Sequence, residues 1–213
     1  MDLPGEIREV ADVPSAFADL VAARSPDSIA LCGNVLAHEC YRALRATALD
    51  WAPIEVFFGD DRFVPVDSPD SNEGQARRAM FDHVAPRAVH GMYRAGPIED
   101  AADAYEKLVQ GAPPIEVVHL GVGPDGHTAS LFPGTPALDE TRRLVVVNGD
   151  DLHEHPRITF TFPAIARARL VVVTVSGPEK REVMARLRAG EDLPAARIRA
   201  EEVVWLCDRA ALG

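Results

Sequence analysis

The chain has 213 residues, 47% of them hydrophobic and 26% charged, with 17 Pro, 15 Gly and 3 Cys. That length supports one sizeable core, and the composition excludes wholesale disorder, a collagen repeat and a disulfide scaffold. With 33 acids against 22 bases the net charge is −11, which argues against a nucleic-acid binder or a protein of anionic membranes and requires any anion site to concentrate its cations locally.

The opening segment, MDLPGEIREV, is acidic and interrupted by Pro4 and Gly5. That is unlike a signal peptide, and the apolar runs are strand-sized, so a soluble cytoplasmic chain is expected. Pro14 to Arg24 offers about three helical turns. A strand is expected over Ile29 to Cys32 and a helix over Leu36 to Thr47. The next strand, Ile54 to Phe58, runs out into Gly59-Asp60-Asp61-Arg62-Phe63-Val64-Pro65. Two acids and an arginine there read either as a general base with a guanidinium clamp for carboxylate or phosphate, or as a solvated turn with a local ion pair. Helical patterns follow over Ser71 to His83 and Ile98 to Gln110, then a strand over Ile115 to Leu120.

Beyond that strand lies Gly121-Val122-Gly123-Pro124-Asp125-Gly126-His127-Thr128, continuing to Pro133-Gly134. Its glycines satisfy GxGxxG, yet a dinucleotide fingerprint belongs to the first βαβ unit and opens a full helix, which Pro133-Gly134 would cut short. The glycines still allow close backbone approach to a ligand, and His127 beside them suits proton transfer near neutrality. Further strands are expected over Leu144 to Val147, in the alternating run Arg157-Ile158-Thr159-Phe160-Thr161-Phe162-Pro163 with a cation at its start, over Leu170 to Val175 and over Val203 to Cys207. Ser176-Gly177-Pro178-Glu179-Lys180 begins a helix expected to reach Ala189, and the lysine in that first turn reads either as bridged to the helix dipole by an anion or as a solvated lysine whose small cost against the dipole is tolerated. Arg62, Arg157 and Lys180 are the candidate cations of an anion site.

Three cysteines without a CxxC pair suggest a reducing compartment, and they read as small apolar residues. His153-Glu154-His155 matches no common zinc spacing and reads as exposed surface. Helix-patterned stretches alternate with Val/Ile/Leu strands, and no linker or repeat divides them. One α/β domain over 1–213 is therefore expected, binding its ligand beyond the carboxyl ends of a mainly parallel sheet.

Taken together, GDDRFVP at 59–65, PDSNEG at 69–74, LGVGPDGHTASLFPG at 120–134, RITFTFPAI at 157–165, SGPEK at 176–180 and LPAARIR at 193–199 form an ordered set. From Ile54 to Leu212 the chain resembles the 6-phosphogluconolactonases, within the wider group that includes glucosamine-6-phosphate deaminases. The resemblance implies a three-layer α/β sandwich with a Rossmann-like sheet and helices on both faces. The implied activity is hydrolysis of 6-phosphoglucono-δ-lactone to 6-phosphogluconate in the oxidative pentose phosphate pathway. It makes His127 the general base, gives Asp60 the task of orienting that base or the substrate hydroxyls, and leaves the oxyanion to backbone amides around Gly123 to His127. Arg62, Arg157 and Lys180 then hold the phosphate or the sugar-acid end, with Gly33, Asn34, Gly123, Asp125 and Gly126 also at the substrate. No metal or organic cofactor is implied, and the partner is a small sugar phosphate met by a monomer or weak homo-oligomer. The deaminase loop reads like GHIAFNEPG, whereas Leu131-Phe132 here supplies no acid.

One block departs from the family. A loop like SGGSTP normally cradles the phosphate, and this chain reads Cys32-Gly33-Asn34-Val35-Leu36-Ala37. Losing two hydroxyl donors to a charged group costs about 1.5–3 kcal/mol each unless Asn34 or backbone amides compensate. A lactonase or isomerase for another sugar, or a non-catalytic sugar-phosphate binder, are the alternatives this loop leaves open.

Overall fold

The six-residue run Leu-Val-Val-Val-Thr-Val at 170–175 is buried at every position, as a β-branched strand covered on both faces requires. In the computed structural model, which describes residues 3–149 and 153–213, it lies inside a seven-stranded sheet. The chain runs β1 (Glu6–Glu9), α1 (Val13–Arg24), β2 (Ser28–Leu31), α2 (Val35–Leu44), β3 (Glu55–Phe58), β4 (Asp60–Arg62), α3 (Asn72–Ala76), β5 (Ala88–Val89) and α4 (Ile98–Gly111). It continues through β6 (Val117–Leu120), β7 (Val145–Asn148), β8 (Arg157–Phe160), α5 (Phe162–Ala166), β9 (Leu170–Val175), α6 (Arg181–Arg188), β10 (Glu202–Cys207) and α7 (Arg209–Leu212).

The large sheet has the order β1-β10-β9-β6-β2-β3-β5 with every pair parallel, making the protein an α/β sandwich. From the adjacent pair β2 and β6 the order runs outward in opposite directions. Their carboxyl ends therefore form the switch point at which an open α/β sheet leaves a crevice. Two loops diverge there: Cys32-Gly33-Asn34 after β2, and Gly121 to His127 after β6.

A second, antiparallel sheet of order β4-β8-β7 completes the site. Gly59 joins the two sheets: its N–H donates to Leu31 O of β2, and its carbonyl accepts from Phe160 N of β8. One apolar cluster takes in both, from Ile29 and Val118 to Val145 and Phe160.

The structure differs from the sequence expectations in five elements. The alternating run expected to be extended as far as Pro163 is a strand only to Phe160, and Thr161 then caps α5. Val145–Asn148 belongs to the small antiparallel sheet, with its middle residues only half-buried, rather than to the parallel core. Asp60–Arg62 is a strand rather than a turn. The helix expected over 71–83 is a short α3, capped by Ser71, followed by a π-helical turn over Arg77–Phe81. Pro178–Lys180 is a 3-10 turn that precedes α6 instead of its first turn, so Lys180 sits at the junction.

Candidate active site

At the switch point the two loops, the end of β9 and the small sheet enclose a cavity of about 450 Å³. Asp60, Arg62, Arg157, Lys180, His127, Gly123, Gly33 and Asn34 all line it. Asp125 and Gly126, expected at the substrate, do not. Gly126 turns at φ 85° against Leu193 and accepts the Ala195 N–H, while Asp125 acts on the histidine.

The loop after β6 closes on itself: Gly123 N donates to His127 O at 2.9 Å, and Gly126 N donates to Gly123 O at 3.0 Å. This turn brings Asp125 back onto His127. Its Oδ1 accepts the His127 amide at 3.1 Å and lies 2.6 Å from the ring Nδ1. Burial raises the Asp125 carboxyl, but the His127 amide, charge and ring hydrogen bond outweigh it and hold the group below the ordinary carboxylate range. Nδ1 is thereby occupied, which leaves Nε2 as the ring nitrogen for work in the cavity. A Cβ on Gly123 would stand 2.1 Å from this ring, so only glycine admits the imidazole there. Within 123–127 the amides of Gly123, Gly126 and His127 are engaged in hydrogen bonds of the loop itself.

Period-two alternation along β4 separates the paired acids. Asp60 faces the cavity, its Oδ2 accepting the Ser130 hydroxyl at 2.7 Å. The carboxylate that orients His127 is therefore Asp125, and Asp60 is anchored instead to Ser130. Asp61 points the other way and takes the amides of Arg62, Asn72 and Glu73, with the Ser71 hydroxyl at 3.3 Å. Burial pushes its carboxyl up to about 7 against those amides. It thus ties α3 to β4 and fixes Asn72, whose carboxamide accepts from Arg62 at 3.0 Å and donates to Asp60 O at 2.9 Å. Asn72 also packs directly over Gly33, where a Cβ would overlap it.

The three cations are held by different means. Arg62 is braced by Asn72 and by Asp70 O at 2.9 Å. Lys180 Nζ donates to Val122 O at 2.8 Å, leaving two N–H groups for the cavity. Arg157 lies over the Phe132 ring, 5.4 Å from its centroid. The opposing loop contributes Asn34, whose Oδ1 caps α2 through Ala37 N at 2.8 Å, whereas Val35 is 76% exposed at the cavity rim. Burial drives the Cys32 thiol up to about 12, so it lines the floor as a neutral group.

His153, Phe132, Thr174 and Ser130 are the site residues that sequence reasoning missed. His153 stacks on Phe132 with centroids 4.2 Å apart and lines the cavity, in place of the plain surface expected. The Phe132 and His127 rings meet edge to face at 4.8 Å. Among the described residues, no group of three or more His, Cys, Asp or Glu is placed to hold a metal ion, and no helix is long and apolar enough to cross a membrane.

Fold and site together define an α/β protein that gathers cations and a carboxylate-oriented histidine at the switch point of its sheet. Comparison with known proteins narrows the class. The family model of glucosamine-6-phosphate isomerases/6-phosphogluconolactonase matches residues 8–205, and the chain belongs to that family. A 6-phosphogluconolactonase from Synechocystis sp. is 40% identical over 96% of this chain and 91% of its own. One from Mycobacterium tuberculosis is 39% identical over 92% and 88%. Of solved structures, the 6-phosphogluconolactonase from Trypanosoma brucei has a TM-score of 0.84 at 27% identity, covering 99% of this chain and 98% of that one. The one from Thermotoga maritima has a TM-score of 0.81 at 27% identity, covering 95% and 98%. A monomeric glucosamine-6-phosphate deaminase shares the fold, with a TM-score of 0.83 at 21% identity over 97% and 98%.

Proposed function

We infer that the chain hydrolyses 6-phosphoglucono-δ-lactone to 6-phosphogluconate, the lactone-opening step of the oxidative pentose phosphate pathway, with His127 as general base. Nε2 takes a proton from water as that water attacks the ring carbonyl. The imidazolium formed returns the proton to the ring oxygen when the C–O bond breaks, so the histidine is regenerated. Asp125 keeps the proton of the resting ring on Nδ1 and stabilises the imidazolium. Arg62, Lys180 and Arg157 take the phosphate, supplying the local positive field that a chain of net charge −11 otherwise lacks. The outward oxygen of Asp60 accepts from sugar hydroxyls. The oxyanion is met by hydrogen-bond donors at the cavity wall beside His127. The chain works in a reducing, cytoplasmic compartment, a reading supported by its three free, buried cysteines.

One observation carries this reading: the 2.6 Å His127–Asp125 couple opens on the same cavity as three cations. The test is hydrolysis of the lactone generated in situ, with spontaneous opening subtracted, for wild type, His127→Ala and Asp125→Asn. Wild type is expected well above background, with His127→Ala falling by about 10²–10⁴ and Asp125→Asn impaired in kcat. A wild-type rate no greater than background, or an unimpaired His127→Ala, would overturn it. The exposed Val35 at the phosphate end favours one second reading, a lactonase for a non-phosphorylated sugar. Equal kcat/KM for glucono-δ-lactone and its 6-phosphate would select it.

A further inference from the structure

Beneath the cavity floor lies a buried histidine that the mechanism does not use. His119 of β6 is fully buried and sits beside Val172 in the parallel register, so Thr174, two residues further along β9, is its diagonal neighbour on the same face. Nε2 lies 2.8 Å from Thr174 Oγ1, and Nδ1 lies 3.0 Å from the Tyr41 hydroxyl of α2. Phe17 of α1 covers the imidazole at 4.2 Å between centroids. Thr174 is 3% exposed and lines the cavity, so this chain of polar groups ends at the substrate.

Hydrogen-bond accounting fixes the direction of the chain. The Tyr41 hydroxyl donates to Cys32 O and accepts from Cys32 N, both at 2.9 Å. A phenol has one proton and two lone pairs, so a single lone pair remains for His119. Nδ1 must then carry the imidazole proton. Burial lowers His119 to about 3, so the ring stays neutral at working pH and its Nε2 is a bare acceptor. That nitrogen draws the Thr174 proton inward. The opposite tautomer would take the phenol proton away from the Cys32 carbonyl at the end of β2 and leave a buried acceptor unpaired.

We propose that Thr174 is an acceptor-only subsite for a hydroxyl of the sugar lactone, held in that polarity by His119 and Tyr41. It selects a donor and disfavours the phosphate and carboxylate groups that the cations attract. Thr174 thereby fixes which way round the substrate lies, and His119 and Tyr41 are positioning residues that act through it. The proposal rests on the lactonase reading and adds to it a specificity for one ring hydroxyl.

The experiment compares 6-phosphogluconolactone with its 2-, 3- and 4-deoxy analogues in wild type, Thr174→Val and Thr174→Ser, alongside the ring ¹⁵N shifts of His119. Wild type is expected to favour the parent over one analogue by about tenfold in kcat/KM, the loss of one hydrogen bond. Thr174→Val should lower the parent by that factor and leave that one analogue unchanged, while Thr174→Ser restores the preference. The ¹⁵N shifts should show a proton on Nδ1. Active wild type in which Thr174→Val slows all four substrates alike, or does not slow the parent, overturns the subsite alone. A proton on Nε2 also overturns it, independently of turnover. A wild type without turnover overturns the lactonase reading and this proposal with it.

Discussion

Asn34 shows how one side chain can serve both the fold and the ligand. Its Oδ1 is occupied by the Ala37 amide at 2.8 Å, so the orientation of the carboxamide is set by the helix cap and its NH₂ is turned toward Gly121 and the cavity. That NH₂ can only donate, and it stands where the related loop offers hydroxyls. Asn34→Asp keeps the cap, since both residues cap well, but replaces the donor with a carboxylate. Losing a hydrogen bond to a charged group is worth about 1.5–3 kcal/mol, so KM for the phosphorylated lactone should rise about 10–150-fold with kcat little changed. Steady-state kinetics would check this, with thermal melting to confirm an intact fold and glucono-δ-lactone as a control that responds far less. His127 was legible from its place beside a glycine-rich strand end. Its partner was not, because the turn that folds Asp125 back depends on loop hydrogen bonds rather than on a recognised spacing. His153 escaped notice for a related reason: what draws it to the site is Phe132, 21 positions earlier, and stacking across such a separation leaves no local pattern.

Among the elements, the strands buried on both faces were legible because their continuous Val/Ile/Leu runs are strand-sized and rich in β-branched residues. The edge strands were not. β1 reads Glu-Ile-Arg-Glu and is mostly exposed, and β5 has two residues; both are held by a neighbouring backbone rather than by apolar content. β7 carries an apolar run yet belongs to the small sheet, since composition records burial but not the partner strand. The loop 176–180 shows how an element's end positions a site residue. Asp208 accepts the Ser176 hydroxyl at 2.6 Å and Gly177 N at 3.0 Å, and caps α7 through Ala211 N at 2.7 Å. Burial raises this carboxyl, but those hydrogen bonds outweigh it and hold it below its ordinary value. A depressed folded-state pKa means the stabilisation is present above the unfolded value, near 4, and is lost as pH falls through the folded one. Asp208→Ala should therefore be less stable by about 1–2 kcal/mol at neutral pH, with the gap from wild type closing as pH falls below the unfolded value in urea denaturation. Because the same loop carries Lys180, KM should rise as well. A gap independent of pH would exclude the carboxylate as the cause.

On the scale of the whole molecule, the cavity belongs to two sheets. Cys32, Gly121 and Thr174 come from the end of the large one, and Asp60, Arg62 and Arg157 from the small one, which is joined to it through Gly59 and the shared apolar cluster. A ligand whose phosphate meets the cations and whose sugar meets the loops bridges both sheets, so binding opposes any unfolding that parts them. Ligand bound only by the folded state stabilises by about 2.7 kcal/mol at a hundredfold excess over Kd. For a chain of this size each kcal/mol moves Tm by about 2–4 °C, giving an expected rise of about 5–10 °C with 6-phosphogluconate. Gluconate at the same concentration lacks the group for which the cations are arranged, and should move Tm by no more than about a quarter of that. Arg62→Ala should abolish most of the difference between the two ligands, because its guanidinium is braced by Asn72 and Asp70 toward the cavity rather than contributing to the core. Differential scanning calorimetry with both ligands decides it: equal shifts would mean the cations do not hold the phosphate, and the anion site would have to be sought elsewhere on the chain.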